Sequence, residues 1–320
     1  MEKYSQFRDR GSGISPFIPS TTPTSTLSLL WHSAIFAFRL PFFLFFAVTG
    51  FLALDFLPLP VVVRKLLLWT ILGIPGIWWV DLQLDGVKRG SLSQQPASRF
   101  PRDRSVIASQ FTSPIDALYL AAIFDPIFVA SYPGEERVRR LSLFGAVMMA
   151  LAPPTLCPAS TSGLTTLRAL IEANPHRVVA VFPECSTTNG KGILPFSPSL
   201  LTAPSDAQTF PVSMRYTPAD IATPVPGAYF SFLWNLLSKP THYIRVRIGE
   251  GVQNTSRLTN GVHHVFDETD KDEGDDHLTP DERHFLNQIA ETLARLARNK
   301  RVGLTLDDKL AFVEAWGNKK

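Results

Sequence analysis

A short polar segment directly after a predicted buried strand carries the residues of this sequence best suited to bind an anion. Residues 178–182 predict the strand, because β-branched residues prevail and no breaker interrupts them. Pro183 ends this run, and then come a carboxylate, three hydroxyl side chains and a cation: Glu184, Ser186, Thr187, Thr188 and Lys191. Backbone N–H groups, hydroxyls and one cation can together hold a phosphate group. The segment is not a nucleotide P-loop, since Gly192 follows Lys191. An ordinary surface turn remains the alternative.

The same segment resembles a known motif. Phe182, Pro183 and Glu184, followed by small hydroxyl residues, resemble the third motif of the glycerolipid acyltransferases, in particular the fungal-type lysophosphatidic acid and lysophospholipid acyltransferases. This resemblance implies that four residues bind the phosphate of the acceptor lipid: Glu184, Ser186, Thr187 and Lys191. Cys185 departs from the motif, which has glycine there. Because cysteine takes a positive φ poorly, a slightly different loop shape is expected.

Residues 109–116 resemble the first motif of that family, His-x-x-x-x-Asp, with one departure. Asp116 stands at the aspartate position, but Phe111 stands at the histidine position. In the family the histidine takes the proton of the acceptor hydroxyl and the aspartate orients it, whereas phenylalanine cannot accept a proton. None of the seven histidines has an aspartate five residues later. Ser113 and Asp116 also form a helix-capping pair, so capping and catalytic support are both open for Asp116.

The missing histidine leaves three alternatives for the chemistry. The enzyme can use another base or act mainly by positioning its substrates, which by itself supplies several kcal/mol. Cys185 can carry the acyl group as a nucleophile, although an unpaired cysteine is usually a small apolar side chain. The third alternative is an inactive relative that binds lysophospholipid or acyl-CoA. Arg215 lies beside the family's fourth motif, near Pro211, where it is either a further anion contact or a surface arginine.

Composition excludes several classes of protein. Apolar residues make up 45% of the 320 residues and charged residues 18%, with 23 phenylalanines. The chain is thus too apolar for an ordinary soluble enzyme and too polar for a multi-span transporter. A net charge of +3 without aromatic–basic interleaving gives no sign of nucleic-acid binding. Cys157 and Cys185 have no pairing pattern, so we expect no disulfide, no metal site and a reducing, cytosol-facing environment.

The N-terminal quarter predicts a membrane anchor. Residues 1–30, rich in Ser, Thr, Pro and Gly, predict a disordered tail. Residues 31–82 contain two uncharged apolar segments, 40–54 and 66–80, which are shorter than the ~20 residues of a simple span. We therefore expect a hairpin that enters one leaflet, with a tight double span and a buried hairpin of a soluble core as alternatives. Basic residues on both flanks place both ends in the cytosol.

From residue 105 onward, predicted strands alternate with predicted helices. This order predicts an α/β fold with a mixed sheet flanked by helices, and the resemblance implies a glycerol-phosphate acyltransferase-like arrangement. The domain is expected over residues 83–260, followed by an acidic loop and C-terminal helices over 261–320. Predicted strands cover 106–108, 127–130, 178–182, 210–216 and 243–250, and predicted helices cover 114–123, 138–151, 164–171 and 280–297.

Together these features predict a membrane-bound O-acyltransferase. The resemblance implies transfer of an acyl chain from acyl-CoA to lysophosphatidic acid or another lysophospholipid, in phospholipid or triacylglycerol synthesis. Acyl-CoA is a co-substrate, and no further cofactor is implied. The endoplasmic reticulum or the lipid droplet is the implied membrane, with the catalytic domain facing the cytosol. The alternative is a catalytically impaired protein of the same fold that binds lysophospholipid or acyl-CoA.

Overall fold

A mixed nine-stranded sheet forms the centre of the computed structural model, which describes residues 2–23, 25–88, 90–256 and 278–317. The helices are α1 (Thr26–Phe56), α2 (Val61–Gly73), α3 (Pro114–Phe124), α4 (Leu143–Met149), α5 (Leu167–Ala173), α6 (Tyr229–Leu237), α7 (Pro280–Ala297) and α8 (Leu306–Gly317). The strands are β1 (Ile77–Leu84), β2 (Val106–Ser109), β3 (Ile127–Tyr132), β4 (Glu135–Leu141), β5 (Leu164–Thr165), β6 (Val179–Val181), β7 (Gly192–Ile193), β8 (Gln208–Thr217), β9 (His242–Ile248), β10 (Val252–Gln253) and β11 (Lys300–Arg301). The α/β class with a mixed sheet is confirmed.

The strand order brings the two motif segments together at the carboxyl ends of neighbouring strands. The order is β1-β9-β8-β2-β6-β3-β4-β5, with β10 paired to β8 as the ninth strand. Strand β2 pairs in parallel with both β6 and β8. The carboxyl ends of β2 and β6 therefore lie side by side. The first motif follows β2 and the third follows β6, which is the usual position of a ligand site in an open α/β sheet.

Helices cover both faces of the sheet. On one face, α2, α3, α4 and α6 contribute to the larger buried cluster, which includes Leu72, Leu120 and Leu236. On the other face, α5 and α7 form a second cluster through side chains such as Leu167 and Ile289. The central strands are consequently buried on both sides, which explains their near-continuous apolar runs in the sequence.

Residues 135–141 form a strand, so the predicted helix over 138–151 is wrong in its first part. Val138 pairs with Thr165 and Arg139 pairs with Leu164, which adds β4 and β5 antiparallel to the edge of the sheet. Charged residues are common on such edge strands because they discourage pairing with a second chain. Only residues 143–149 of the predicted segment are helical.

The N-terminal apolar region differs from the predicted pair of short segments. Helix α1 has 31 residues and continues through Pro41. Within it, residues 26–54 form a stretch that is long and apolar enough to cross a membrane. Only 11% of the most apolar 18 residues of this stretch is buried. The second predicted segment is divided between α2 and β1, because Ile77 to Leu84 pair in parallel with β9 as an edge strand of the sheet.

The predicted disordered tail is folded in the part of the chain that the structure describes. Tyr4, Phe7 and Phe17 are buried against Phe312 of α8. The composition of this segment gives a low average hydrophobicity, but three aromatic side chains are enough to attach it to the domain. The predicted acidic loop, residues 267–276, lies outside the described residues.

Candidate functional site

The loops after β2 and β6 are in direct contact. The backbone N–H of Thr188 donates a hydrogen bond to the carbonyl oxygen of Phe111 at 3.0 Å. The charge of Asp116 is close enough to help raise the pKa of Glu184. The fold thus brings together the first-motif residues and the hydroxyl-rich third-motif loop.

Asp116 is fully buried at the start of α3 and forms the predicted capping box with Ser113. Its Oδ2 accepts hydrogen bonds from the backbone N–H groups of Thr112 at 2.6 Å and Ser113 at 2.9 Å. Its Oδ1 accepts a hydrogen bond from the Tyr216 hydroxyl. Burial raises the pKa of Asp116 to about 6, although these hydrogen bonds oppose the shift. Asp116 therefore fixes the geometry between the first motif and β8.

Phe111 fills the position of the motif histidine with a buried aromatic ring. The ring is fully buried and stacks on Phe182, with 4.2 Å between ring centroids and 21° between ring planes. The substitution thus joins the first motif to the third through an apolar contact. No proton acceptor is provided at position 111.

Glu184 points into the protein and is fully buried. Its Oε2 accepts a hydrogen bond from the Leu194 N–H at 3.0 Å, whereas Oε1 makes no hydrogen bond with the described residues. Burial raises the pKa of Glu184 to about 8, and the nearby backbone N–H groups of Leu194 and Phe111 oppose the shift. A buried carboxyl group with one unpartnered oxygen is costly and calls for a functional explanation.

A lysine from the C-terminal helix completes this loop. Lys309 is fully buried, and its Nζ donates hydrogen bonds to Ser186 Oγ at 2.6 Å and to the Thr187 carbonyl oxygen at 2.5 Å. Both acceptors are neutral. Burial lowers the pKa of Lys309 to about 7, while the nearby Glu184 carboxylate raises it. A cation thus lies against the two hydroxyl residues to which the motif resemblance assigns phosphate binding.

The two other predicted cations lie elsewhere. Lys191 is exposed, and its backbone N–H donates a hydrogen bond to Asn189 Oδ1 at 3.1 Å. Arg215 is exposed on β8. Because neighbouring strand residues point to opposite faces, Arg215 lies on the face opposite Tyr216, the partner of Asp116. The structure therefore leaves both side chains outside the buried cluster.

Cys185 adopts the backbone conformation that the motif glycine would favour. Its φ is 58°, in the left-handed region that ordinarily favours glycine. The side chain is buried, and burial raises the pKa of the thiol to about 11. A thiol with such a pKa is a poor nucleophile at neutral pH, which argues against a role as acyl carrier.

Residues 184–189 of the third-motif loop are buried. Neither Asp116 nor Glu184 has an exposed surface. Asn189 holds the N-terminal segment in place, because its backbone N–H bonds the Pro16 carbonyl oxygen and its side-chain amide bonds those of Ser15 and Ile18, each at 2.8 Å. Access of a substrate to these carboxylates therefore requires displacement of covering residues.

Sequence reasoning missed Lys309 and Tyr216. Lys309 lies three residues from both Leu306 and Phe312, which are buried, so this spacing places the lysine on the apolar face of α8. A charged residue on an apolar stripe was the available signal. Tyr216 lies in a predicted strand 100 residues after Asp116, and nothing local indicates that pairing.

Comparisons with known proteins agree with the motif resemblance at low identity. No family model matches the chain, and no solved structure matches it significantly. A Schizosaccharomyces pombe protein named "Putative lysophosphatidic acid:oleoyl-CoA acyltransferase" is 24% identical over 326 aligned positions, covering 100% of this chain and 99% of that protein. "Lysophosphatidic acid:oleoyl-CoA acyltransferase 1" of Saccharomyces cerevisiae is 25% identical over 202 positions, covering 62% of this chain and 61% of its own length. These relatives support an acyltransferase family for the chain.

Proposed function

We propose that the protein is a membrane-bound O-acyltransferase that moves an acyl chain from acyl-CoA to the free hydroxyl of lysophosphatidic acid or a similar lysophospholipid. The observation that carries this proposal is the meeting of the two motif loops around Glu184, Lys309 and the hydroxyls of Ser186 and Thr187. The names of the two relatives point to the same pair of substrates.

The phosphate of the acceptor is bound by Lys309 together with Ser186 and Thr187. In the closed loop these groups bond one another, so a phosphate that enters offers stronger, charge-assisted partners to the same donors. Lys191 is exposed and lies outside the buried cluster, so no contact with the phosphate is assigned to it. Lys309 regains full charge when a dianionic phosphate lies next to it.

Glu184 is the proton acceptor that replaces the motif histidine. The acceptor oxygen forms a bond with the acyl carbonyl carbon, the carbon–sulfur bond of the thioester breaks, and the hydroxyl proton moves to Glu184. Glu184 then gives this proton to the departing CoA thiolate. Its unpartnered Oε1, its place beside the Phe111 N–H and its pKa of about 8 support this role, because an effective base has a pKa near the working pH.

A binding protein without catalytic activity is the second candidate. The buried Phe111 ring and the closed loop favour it, since the position of the motif histidine holds no proton acceptor. In that case the chain binds lysophospholipid or acyl-CoA and releases it unchanged.

An acyl-transfer assay with two lysine variants tests the proposal. We expect purified full-length protein in phospholipid vesicles to convert labelled oleoyl-CoA and lysophosphatidic acid into phosphatidic acid. Lys309→Met should raise the KM for lysophosphatidic acid at least about tenfold, because a charge-assisted hydrogen bond contributes about 1.5–3 kcal/mol. Lys191→Met, the matched exposed lysine, should change it less than about threefold.

Two outcomes contradict parts of this picture. Saturable binding of lysophosphatidic acid without turnover would establish the binding protein instead. Equal effects of Lys309→Met and Lys191→Met on KM would show that the buried lysine has no special role in binding the acceptor phosphate. Thermal unfolding of both variants serves as the control for intact folding.

We also propose that α1 anchors the protein in the membrane of the endoplasmic reticulum or the lipid droplet, with the sheet domain in the cytosol. Large apolar side chains on α1 are exposed, including Phe38 at 70%, Phe45 at 62% and Leu52 at 54%. Such a surface is unfavourable in water and favourable in lipid.

Flotation with vesicles tests this anchor. The wild type should float with neutral phosphatidylcholine vesicles even at high salt, because the attachment is apolar. The triple variant Phe38→Ser, Phe45→Ser and Leu52→Ser should lose most of this association. The matched variant Phe38→Leu, Phe45→Leu and Leu52→Met should keep it, and equal flotation of the two triple variants would show that α1 is not the anchor.

A further inference from the structure

Four arginines meet on the face of the sheet that α7 only partly covers. A depression of only about 20 Å³ there is lined by Ser213, Arg215, Arg245, Arg247 and Arg298 together with the end of α7. In the antiparallel register of β8 and β9, Arg215 lies opposite Arg245 and Ser213 lies opposite Arg247. Directly opposed residues lie on the same face of a sheet, so Arg215, Arg245 and Arg247 share one face.

Neutral groups hold Arg247 in place, and a carboxylate holds Arg245. Arg247 Nε donates to Gln83 Oε1 at 3.0 Å, and its Nη1 donates to the Leu296 carbonyl oxygen at 2.5 Å. Arg245 Nε donates to Asp81 Oδ2 at 2.9 Å. Arg247 is thus fixed at the base of the cavity without an acidic partner of its own in these hydrogen bonds.

Positive charge in the cavity is only partly compensated. Burial lowers the pKa of Arg247, and the nearby charges of Arg298 and Arg245 lower it further, whereas Asp81 opposes them. Like charges directly opposite each other destabilise a sheet. No carboxylate is among the described residues that line the cavity itself. Guanidinium groups bind phosphate in a bidentate manner, and the hydrogen bonds of Arg247 leave it without a carboxylate partner.

Hydrogen bonds link residues at the cavity to both motif loops. Ser213 Oγ donates to Gln110 Oε1 at 2.7 Å, and Gln110 directly precedes Phe111. The Nε2 of Gln110 is buried and has no hydrogen-bond partner among the described residues. On the other side, Asn299, next to Arg298, donates from Nδ2 to the Gly190 carbonyl oxygen at 2.6 Å. An anion bound by these arginines is therefore linked to both motif loops through hydrogen-bonded side chains.

We propose that Arg215, Arg245, Arg247 and Arg298 bind the phosphate groups of the acyl-CoA co-substrate, outside the site that binds the acceptor phosphate. This inference rests on the proposed function only in the choice of CoA as the phosphorylated ligand. A lipid headgroup offers the same chemistry, and the exposed Trp79 and Tyr243 belong to the same sheet edge. The hydrogen bond from Ser213 to Gln110 of the first motif favours CoA, because the proposed reaction brings the thioester of acyl-CoA to the motif loops.

Binding of free CoA tests the site without any need for turnover. Isothermal titration of full-length protein in neutral phospholipid nanodiscs should give a Kd for CoA that rises at least about 30-fold in Arg215→Gln/Arg247→Gln, since two charge-assisted contacts are lost. Arg168→Gln, an exposed arginine of α5, is the matched control and should leave the Kd within about twofold. Adenosine, which carries no phosphate group, should bind the wild type and the double variant equally weakly.

The remaining outcomes separate the possible failures. An unchanged Kd for CoA in the double variant, with an unchanged melting temperature, overturns the inference even if acyl transfer is observed. Loss of binding to vesicles containing phosphatidylglycerol, with the CoA affinity unchanged, assigns the arginines to a lipid surface and also overturns it. Arginine-dependent CoA binding in a protein that transfers no acyl group supports the inference while the proposed enzymatic function fails.

Discussion

Replacing Glu184 by glutamine is expected to lower acyl transfer at least about 100-fold and, at the same time, to stabilise the folded protein at neutral pH. The loss of activity follows because glutamine cannot accept the hydroxyl proton, and general base catalysis contributes about 100-fold or more. The glutamine oxygen can still accept the hydrogen bond from the Leu194 N–H. The local structure of the loop should therefore persist.

The gain in stability follows from the raised pKa of Glu184. The folded protein keeps this proton up to a pKa of about 8, while the unfolded chain loses it near 4.5. Between these values the folded state binds more protons, so the unfolding free energy falls as pH rises. With about 1.4 kcal/mol for each pH unit above 4.5, glutamine should gain on the order of 4 kcal/mol at pH 7.5 and less than about 1 kcal/mol at pH 5.

Urea unfolding at several pH values measures this effect, with Glu172→Gln as the matched exposed control. Only Glu184→Gln should flatten the fall in stability between about pH 5 and pH 8. The acyl-transfer rate of the wild type should rise with pH up to about 8. A variant that keeps wild-type activity would exclude Glu184 as the proton acceptor, whatever its stability.

Replacing Phe17 by alanine is expected to release the N-terminal segment and open the third-motif loop. Phe17 is fully buried, and its ring centroid lies 5.9 Å from that of Phe312. Truncation of a buried phenylalanine costs about 3–5 kcal/mol. This loss should appear mainly as undocking of residues 2–23, because their contacts with the domain are few compared with those of the central sheet.

Alkylation of the two cysteines reports this opening. Cys157 is exposed and should react in both proteins, whereas Cys185 is buried beside the Phe17 cluster and should react slowly in the wild type. In Phe17→Ala, the alkylation rate of Cys185 should rise by about 100-fold, since 1.4 kcal/mol corresponds to a factor of about ten. Denatured protein, in which both thiols react, gives the upper limit.

The exposed Phe144 provides the matched control. Phe144→Ala removes the same side chain from α4, where 46% of the residue is exposed, and should leave Cys185 protected. If Phe17→Ala also leaves Cys185 protected while residues 2–23 become sensitive to protease, the N-terminal segment does not cover the loop. Substrate access would then have to depend on α8.

The amino-acid sequence by itself determined the features that depend on neighbouring residues. The alternation of strands and helices, the capping box of Ser113 and Asp116, and the polar loop after β6 are all set within a few residues of the chain. Local propensities were sufficient because no distant partner is required for these features. Cys185 is an exception, because local reasoning predicted a different loop shape there, yet the residue takes a positive φ of 58°.

Only the tertiary structure decided which groups share the closed site. Lys309 meets Ser186 from 123 residues away, and Asn189 bonds Ser15 from 174 residues away. Residues 135–141 became a strand because a sheet edge was available, and aromatic anchors ordered a segment with a low average hydrophobicity. Such pairings depend on packing and burial summed over the whole fold, and these quantities have no signature within a short stretch of sequence.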